Sequence, residues 1–175
     1  MIPIVSVVGR SGVGKTTFLE KLILELSERG YRVGTIKHGS HDFDLDRPGK
    51  DTWRHAQAGS AVVAFASPHR LAVMRRLERE LTIDEIAAMM HDVDIIITEG
   101  YKGGHKPKIE VSRCAVGHEL VSPLDELITV VTDSPYEGLM VPQFGLEDAA
   151  GPADVLVRGF LQDRRLDEGR SRVVN

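Results

Sequence analysis

The chain has 175 residues, 42% of them apolar, and a formal charge of −4. That length buries one full core but not two, so one domain over residues 1–166 is expected, with the charged, aperiodic residues 167–175 as a flexible tail. The mildly negative balance provides no global field to gather nucleic acid or anionic lipid, and the single cysteine excludes an intrachain disulfide or a multi-cysteine zinc site.

In chain order, Ile2 to Val8 is a β-branched apolar run, the pattern of a strand covered on both faces. A glycine-rich turn follows. From Thr16 the apolar positions Phe18, Leu19, Leu22, Ile23 and Leu26 form a helical stripe that Gly30 closes. Tyr31 to Lys37 reads as a second strand, His38 to Lys50 as a polar loop, and Asp51 as the N-cap of a short helix through Gln57. Ala61 to Ala66 and Leu71 to Met74 are close enough to make an antiparallel hairpin. Thr82 opens a helix with Ile83, Ile86, Ala87 and Met90 on its apolar face and Glu85 completing a capping box. Val93 to Thr98, Ile109 to Val111 and Leu127 to Thr132 are further strands, and a last helix covers about Ala153 to Leu161. Alternating strands and helices imply an α/β fold, a mainly parallel sheet with helices on both faces, whose ligands bind beyond the carboxyl ends of the strands. Cys114 has no activating neighbours and reads as a small half-buried residue. Neither a secretory start nor a membrane-length apolar run is evident, so the reading is a cytoplasmic protein engaging neither membrane nor nucleic acid.

The turn after the first strand, Gly9-Arg10-Ser11-Gly12-Val13-Gly14-Lys15-Thr16, matches G-x-x-x-x-G-K-[ST] between a strand and a helix. Glycines let successive amides converge on phosphate oxygens, and the helix presents its unpaired N-terminal amides to the same anion. Lys15 adds charge for the β- and γ-phosphates, the Thr16 hydroxyl completes the coordination of Mg²⁺, and Thr17 follows as an α-phosphate contact. A plain turn would need neither Lys15 nor Thr16.

Glu99 ends an apolar strand, where an acid can accept a hydrogen bond from a metal-bound water; Asp94 competes less well because it begins that strand. In the polar loop, Asp42 and Asp44 are candidate Mg²⁺-water ligands or water-positioning groups, set against an ordinary solvated loop. His38 and His41 hint at a transition metal, but no strong zinc pattern accompanies them. Tyr101 to Lys108 is basic and glycine-containing, either a contact for an anionic partner or a solvated loop.

Together with Gly9 to Thr17, several blocks resemble the molybdopterin-guanine dinucleotide biosynthesis adaptor family, MobB, in the signal-recognition-like branch of P-loop GTPases. These are Thr35-Ile36-Lys37-His38, Asp42-Phe43-Asp44-Leu45-Asp46, Pro48-Gly49-Lys50-Asp51-Thr52, Gln57-Ala58-Gly59-Ser60, Ile97-Thr98-Glu99-Gly100-Tyr101-Lys102 and Pro107-Lys108-Ile109-Glu110-Val111. They reach from Met1 to about Asp133. The resemblance implies the P-loop NTPase three-layer fold, GTP binding with slow hydrolysis and a homodimer. It also implies association with the MobA-like guanylyltransferase that attaches GMP to molybdopterin, in support of converting the molybdenum cofactor to its guanine dinucleotide form. One departure is the lack of an [NT]-K-x-D guanine-reading sequence; Thr132-Asp133, at a strand end, could supply a related base contact.

Other functions compete. A small-molecule kinase uses the same loop, with Arg75, Arg76 and Arg79 imitating a lid, although three arginines also make an ordinary solvated face. A nickel-insertion GTPase would use the local histidines. A partitioning ATPase is disfavoured because Arg10 occupies the region of its additional early lysine. No intrinsic arginine finger can be assigned, and lacking one costs roughly 10³ to 10⁵ in rate, so slow turnover is expected of the adaptor. A dimer would use an exposed edge near Ala61 to Met74.

Overall fold

A computed structural model of the chain describes residues 1–39 and 46–162. Asp42, Asp44 and His41, and the tail expected at 167–175, lie outside the described residues. Within the span read as one domain the chain forms two compact units, Met1–His38 with Met90–Asn175, and Gly39–Met89.

The first unit is built on strands β1 (Ile4–Val8) and β2 (Val33–Lys37), joined by helix α1 (Lys15–Glu28). The second unit contributes α2 (Asp51–Gln57), β3 (Val62–Ser67), β4 (Arg70–Arg75) and α3 (Ile83–Ala87). The chain then returns to the first unit with β5 (Ile95–Glu99), β6 (Lys108–Ser112), β7 (Leu127–Thr132), β8 (Gln143–Phe144) and α4 (Ala150–Leu156), which runs on into a π-helical turn, Val157–Leu161. Six strands form one sheet in the order β2-β5-β1-β6-β7-β8, and every neighbouring pair is parallel. This is the expected α/β class, a mainly parallel sheet flanked by helices, with β3 and β4 as the separate antiparallel hairpin.

The sheet is apolar on both faces, as continuous β-branched runs require. Val5, Val7, Ile97, Ile109 and Val131 share a core with Phe18, Leu19, Leu22 and Leu26 of α1 and with Ala153, Leu156 and Leu161 of the last helix. Each fully buried leucine contributes roughly 1.5–3 kcal/mol. Arg29, at the end of α1, ties the two helices together, donating to Glu25 at 2.7 Å and to Asp154 at 2.6 Å. On the other face, connecting chain is fixed to the strands: buried Glu110 accepts from the Val121 and Ser122 amides at 2.7 and 2.9 Å. Lys108, fully buried, reaches Glu126 and the Gly104 carbonyl.

Several local expectations need correction. Lys50 rather than Asp51 is the N-cap of α2, because Lys50 is extended (φ −76°, ψ 159°) whereas Asp51 is already helical, its carboxylate placed favourably in the first turn. α3 stops at Ala87, and Met90 belongs instead to the sheet unit, its methyl packed over Gly34 of β2. The last helix starts three residues before Ala153. Cys114 is exposed rather than half-buried. The Thr82–Glu85 capping box of α3 is as expected, with both reciprocal bonds formed.

Candidate functional site

Because all six strands are parallel, their carboxyl ends lie along one edge of the sheet, the side where open α/β sheets bind ligands. Taken across that edge, the chain presents Lys37 at the end of β2, Glu99 at the end of β5, the glycine-rich loop after β1, Arg113 after β6, Asp133 after β7 and Gly145 after β8. The loop is central, with an acidic and lysine-bearing flank on one side and an arginine-bearing flank on the other.

The loop wraps through positive φ at Gly9 (144°), Gly12 (81°) and Gly14 (93°), conformations that L residues rarely adopt. At Gly9 the requirement is steric as well, since a Cβ there would stand 2.2 Å from the Val111 carbonyl oxygen of β6. α1 starts after Gly14 with no side chain accepting from its first amides, so those donors face the mouth of the loop. The Lys15 ammonium is held over the same mouth, donating to the Arg10 carbonyl at 2.8 Å and the Gly9 carbonyl at 3.3 Å. Burial and then the nearby Lys102 charge push the Lys15 pKa below its usual value; Glu99 opposes them and Lys37 adds to them. Such an ammonium gains from a polyanion, which restores the favourable field that burial removes.

On the acidic flank the Thr16 hydroxyl donates to Glu99 Oε1 at 2.9 Å, and Lys37 Nζ stands 3.7 Å from Glu99 Oε2. The Glu99 side chain is only 15% exposed. Chain direction reverses immediately after it: Gly100 (φ 106°) and Tyr101 (φ 55°) are both left-handed, and a Cβ on Gly100 would press on the His38 Cβ at 3.3 Å. The Tyr101 ring sits 4.4 Å from the His38 ring. Thr16 and Glu99 thus place a hydroxyl and a carboxylate side by side, the pair a Mg²⁺ ion needs for one direct ligand and one bond to its bound water. Among the described residues no three His, Cys, Asp or Glu side chains come together as an all-protein metal cage. The donor set therefore fits a cation that takes its remaining ligands from phosphate and water, as Mg²⁺ does.

On the other flank the segment after β6 lies against the loop. Arg10 is packed over Gly117 and paired with Glu119 at 2.8 Å. Arg113 Nη2 lies 3.8 Å from where a Cβ on Gly14 would be. The Cys114 amide donates to Asp133 at 2.8 Å, and the His118 ring stacks on Tyr136 at 4.2 Å. Beyond them a cleft of about 360 Å³ opens between the ends of β7 and β8, lined by Thr132, Asp133, Pro135, Gln143, Phe144, Gly145 and Leu146.

This architecture has counterparts. The family described as "Molybdopterin guanine dinucleotide synthesis protein B", MobB, matches residues 4–133. The chain belongs to the MobB family. It is 41% identical over 165 residues to the molybdopterin-guanine dinucleotide biosynthesis adapter protein of Escherichia coli K12, covering 90% of this chain and 93% of that one. Over 142 residues it is 39% identical to the adapter protein of Haemophilus influenzae, covering 78% of each. Among solved structures, Bacillus subtilis MobB superimposes with a TM-score of 0.70 at 27% identity, over 90% of this chain and 97% of that one. A molybdopterin-guanine biosynthesis protein B superimposes with a TM-score of 0.68 at 28% identity, over 89% and 98%.

Of the residues the sequence singles out, the MobB-family fold brings Gly9 to Thr16, Glu99 and Lys37 into one site. Asp94 is elsewhere, locked to the Arg32 backbone through a 2.6 Å bond to its carboxylate. Thr132 is 4% exposed and its hydroxyl closes a local turn with Ser134, whereas Asp133 is exposed at the cleft. Arg79, the last of the three candidate lid arginines, pairs with Glu85 at the cap of α3. Sequence reasoning missed Arg113: no motif marks it, and its only signal is its position just after an apolar strand.

Proposed function

We propose that this chain is a GTP-binding adaptor of molybdenum cofactor biosynthesis, supporting conversion of the molybdopterin cofactor to molybdopterin guanine dinucleotide. The observation that carries the nucleotide half of this reading is the hydrogen bond from Thr16, in the uncapped first turn of α1, to Glu99 at the end of β5, beside the Lys15 ammonium. Lys15 would take the β- and γ-phosphates, Thr16 would ligate Mg²⁺ and Glu99 would hold a metal-bound water. The adaptor half rests on family membership and on relatives named as adapter proteins. Guanine preference is part of the proposal, with Asp133 at the cleft as the candidate base contact. Asp42 and Asp44, outside the described residues, stay proposed as Mg²⁺-water ligands or water-positioning groups on the sequence alone.

Weak hydrolysis is consistent with the loop's own arginine, Arg10, being turned toward Glu119. The proposed partner is a MobA-like guanylyltransferase, the proposed compartment the cytoplasm; no helix among the described residues is long and apolar enough to cross a membrane. A homodimer is proposed through the hairpin. One face of that two-stranded ribbon carries Val62, Ala64, Ala66, Leu71 and Val73, with Arg75 at its end, all exposed, and isolated hairpins are marginal in water. The functional test is a reconstituted guanylylation reaction with the transferase, the molybdopterin cofactor and GTP. Added adaptor should raise the yield of guanine dinucleotide cofactor, and no effect at any stoichiometry would reject the role. A concentration-independent monomeric mass in sedimentation would reject the dimer.

A further inference from the structure

We propose that Arg113 binds the α-phosphate of the nucleotide held on the loop and so directs the nucleoside toward the cleft at the ends of β7 and β8. The inference rests on the nucleotide-binding reading above and goes beyond the loop itself.

The order of strands sets the direction of the ligand. Thr16 and Glu99, which would hold Mg²⁺, define the β5 flank of the loop, and the metal would draw the terminal phosphates to that flank. The α-phosphate and nucleoside must then leave across the opposite flank, over β6 toward β7. Arg113 stands there: it follows β6 directly, and its Nη2 is 3.8 Å from the position of a Gly14 Cβ. After its pairing with Lys21, the Glu147 carboxylate, next to the cleft residue Leu146, is also held down slightly by the Arg113 charge.

Neighbouring cations on this side are already engaged. Arg10 pairs with Glu119, and Lys21 pairs with Glu147. Among the described residues, Arg113 has no carboxylate partner within ion-pair distance, although its backbone is firmly placed. Its carbonyl accepts from the Val116 and Gly117 amides at 2.9 and 3.2 Å, and the next amide donates to Asp133. A fixed backbone carrying an unneutralised guanidinium suits a phosphate, whose oxygens match its planar fork.

The test is calorimetric titration of GTP, GDP and inorganic pyrophosphate, each with Mg²⁺, into wild-type protein, Arg113→Ala and Arg113→Lys. Loss of one charge-assisted phosphate contact predicts that Arg113→Ala weakens GTP and GDP equally, by about ten- to a hundredfold, and that Arg113→Lys recovers part of the loss. Pyrophosphate, which lacks the nucleoside-bearing phosphate, should bind both variants as it binds wild type. A loss confined to GTP would move Arg113 to the terminal phosphate and overturn the assignment. So would unchanged GDP affinity, or an equal loss for pyrophosphate, the signature of a disturbed loop. Failure of the wild type to bind any of the three would instead remove the nucleotide reading on which the proposal stands.

Discussion

Replacing Glu99 with glutamine should change nucleotide affinity in opposite directions with and without Mg²⁺. The substitution keeps the size of the side chain and an oxygen to accept from Thr16, whose hydroxyl is 2.9 Å away, but removes a charge that is 15% exposed and 3.7 Å from Lys37. Without metal, that charge repels a bound triphosphate. At a separation of about 6 Å and an effective dielectric constant of about 20 the repulsion is roughly 3 kcal/mol per charge, and solvent screening reduces it to about 1–2 kcal/mol. With Mg²⁺ present, the carboxylate holds a metal-bound water, and its loss costs about 1.5–3 kcal/mol. The ratio of GTP affinities in excess Mg²⁺ and in excess chelator should therefore fall by about a hundredfold or more in Glu99→Gln. Calorimetry under the two conditions reads this ratio directly. Equal shifts in the same direction under both conditions would refute the metal-side role of Glu99.

Three further perturbations probe other parts of the account. Lys15→Ala should weaken GTP by at least about tenfold, yet leave unfolding by urea within about 1 kcal/mol of wild type, because the two carbonyl bonds it loses are offset by removing a partly desolvated ammonium; unchanged GTP affinity in the folded variant would contradict the assignment. Gly9→Ala should destabilise the fold by roughly 2–5 kcal/mol, since it combines a φ of 144° with a Cβ 2.2 Å from a backbone oxygen, whereas Gly12→Ala, with open space around it, should cost about 1–2 kcal/mol. Urea denaturation of both variants would disprove the reasoning if their order were reversed. The Glu85 carboxyl, bonded first to Arg79 and then to Thr82, should titrate near about 2 rather than its ordinary 4.5. Its folded pKa is depressed, so its contribution to stability is complete above 4.5 and is lost as the pH falls toward 2. Carboxyl NMR should show this midpoint, and Arg79→Ala should raise it; a titration near 4.5 in the wild type would count against the cap geometry.

What could be read from the sequence was what depends on local pattern. β1 is a continuous apolar run and α1 carries a helical stripe, β7 (Leu127–Thr132) has the expected bounds, and the loop between β1 and α1 needs glycine and lysine at fixed spacing. Glu99 was recognisable because a lone acid ends an apolar strand. Features set by distant partners were not legible. β8 has only two residues, Gln143 and Phe144, too few for any period, and exists because β7 offers it an open edge. Lys108 sat in a segment readable as a basic surface loop, yet it begins β6 fully buried, its charge compensated by Glu126, eighteen positions on. Arg113 lacks a motif because its placement comes from the strand order, which brings β6 beside β1 across about a hundred residues of sequence.

On the proposed reading, the converging amides after β1 and the Lys15 ammonium hold a magnesium-bound guanine nucleotide. Titration of Mg²⁺-GTP and Mg²⁺-ATP into the full chain measures it most directly. Saturable one-to-one uptake of GTP per chain, with weaker uptake of ATP, is expected; heat of dilution alone for both nucleotides, on folded protein, would overturn the nucleotide site.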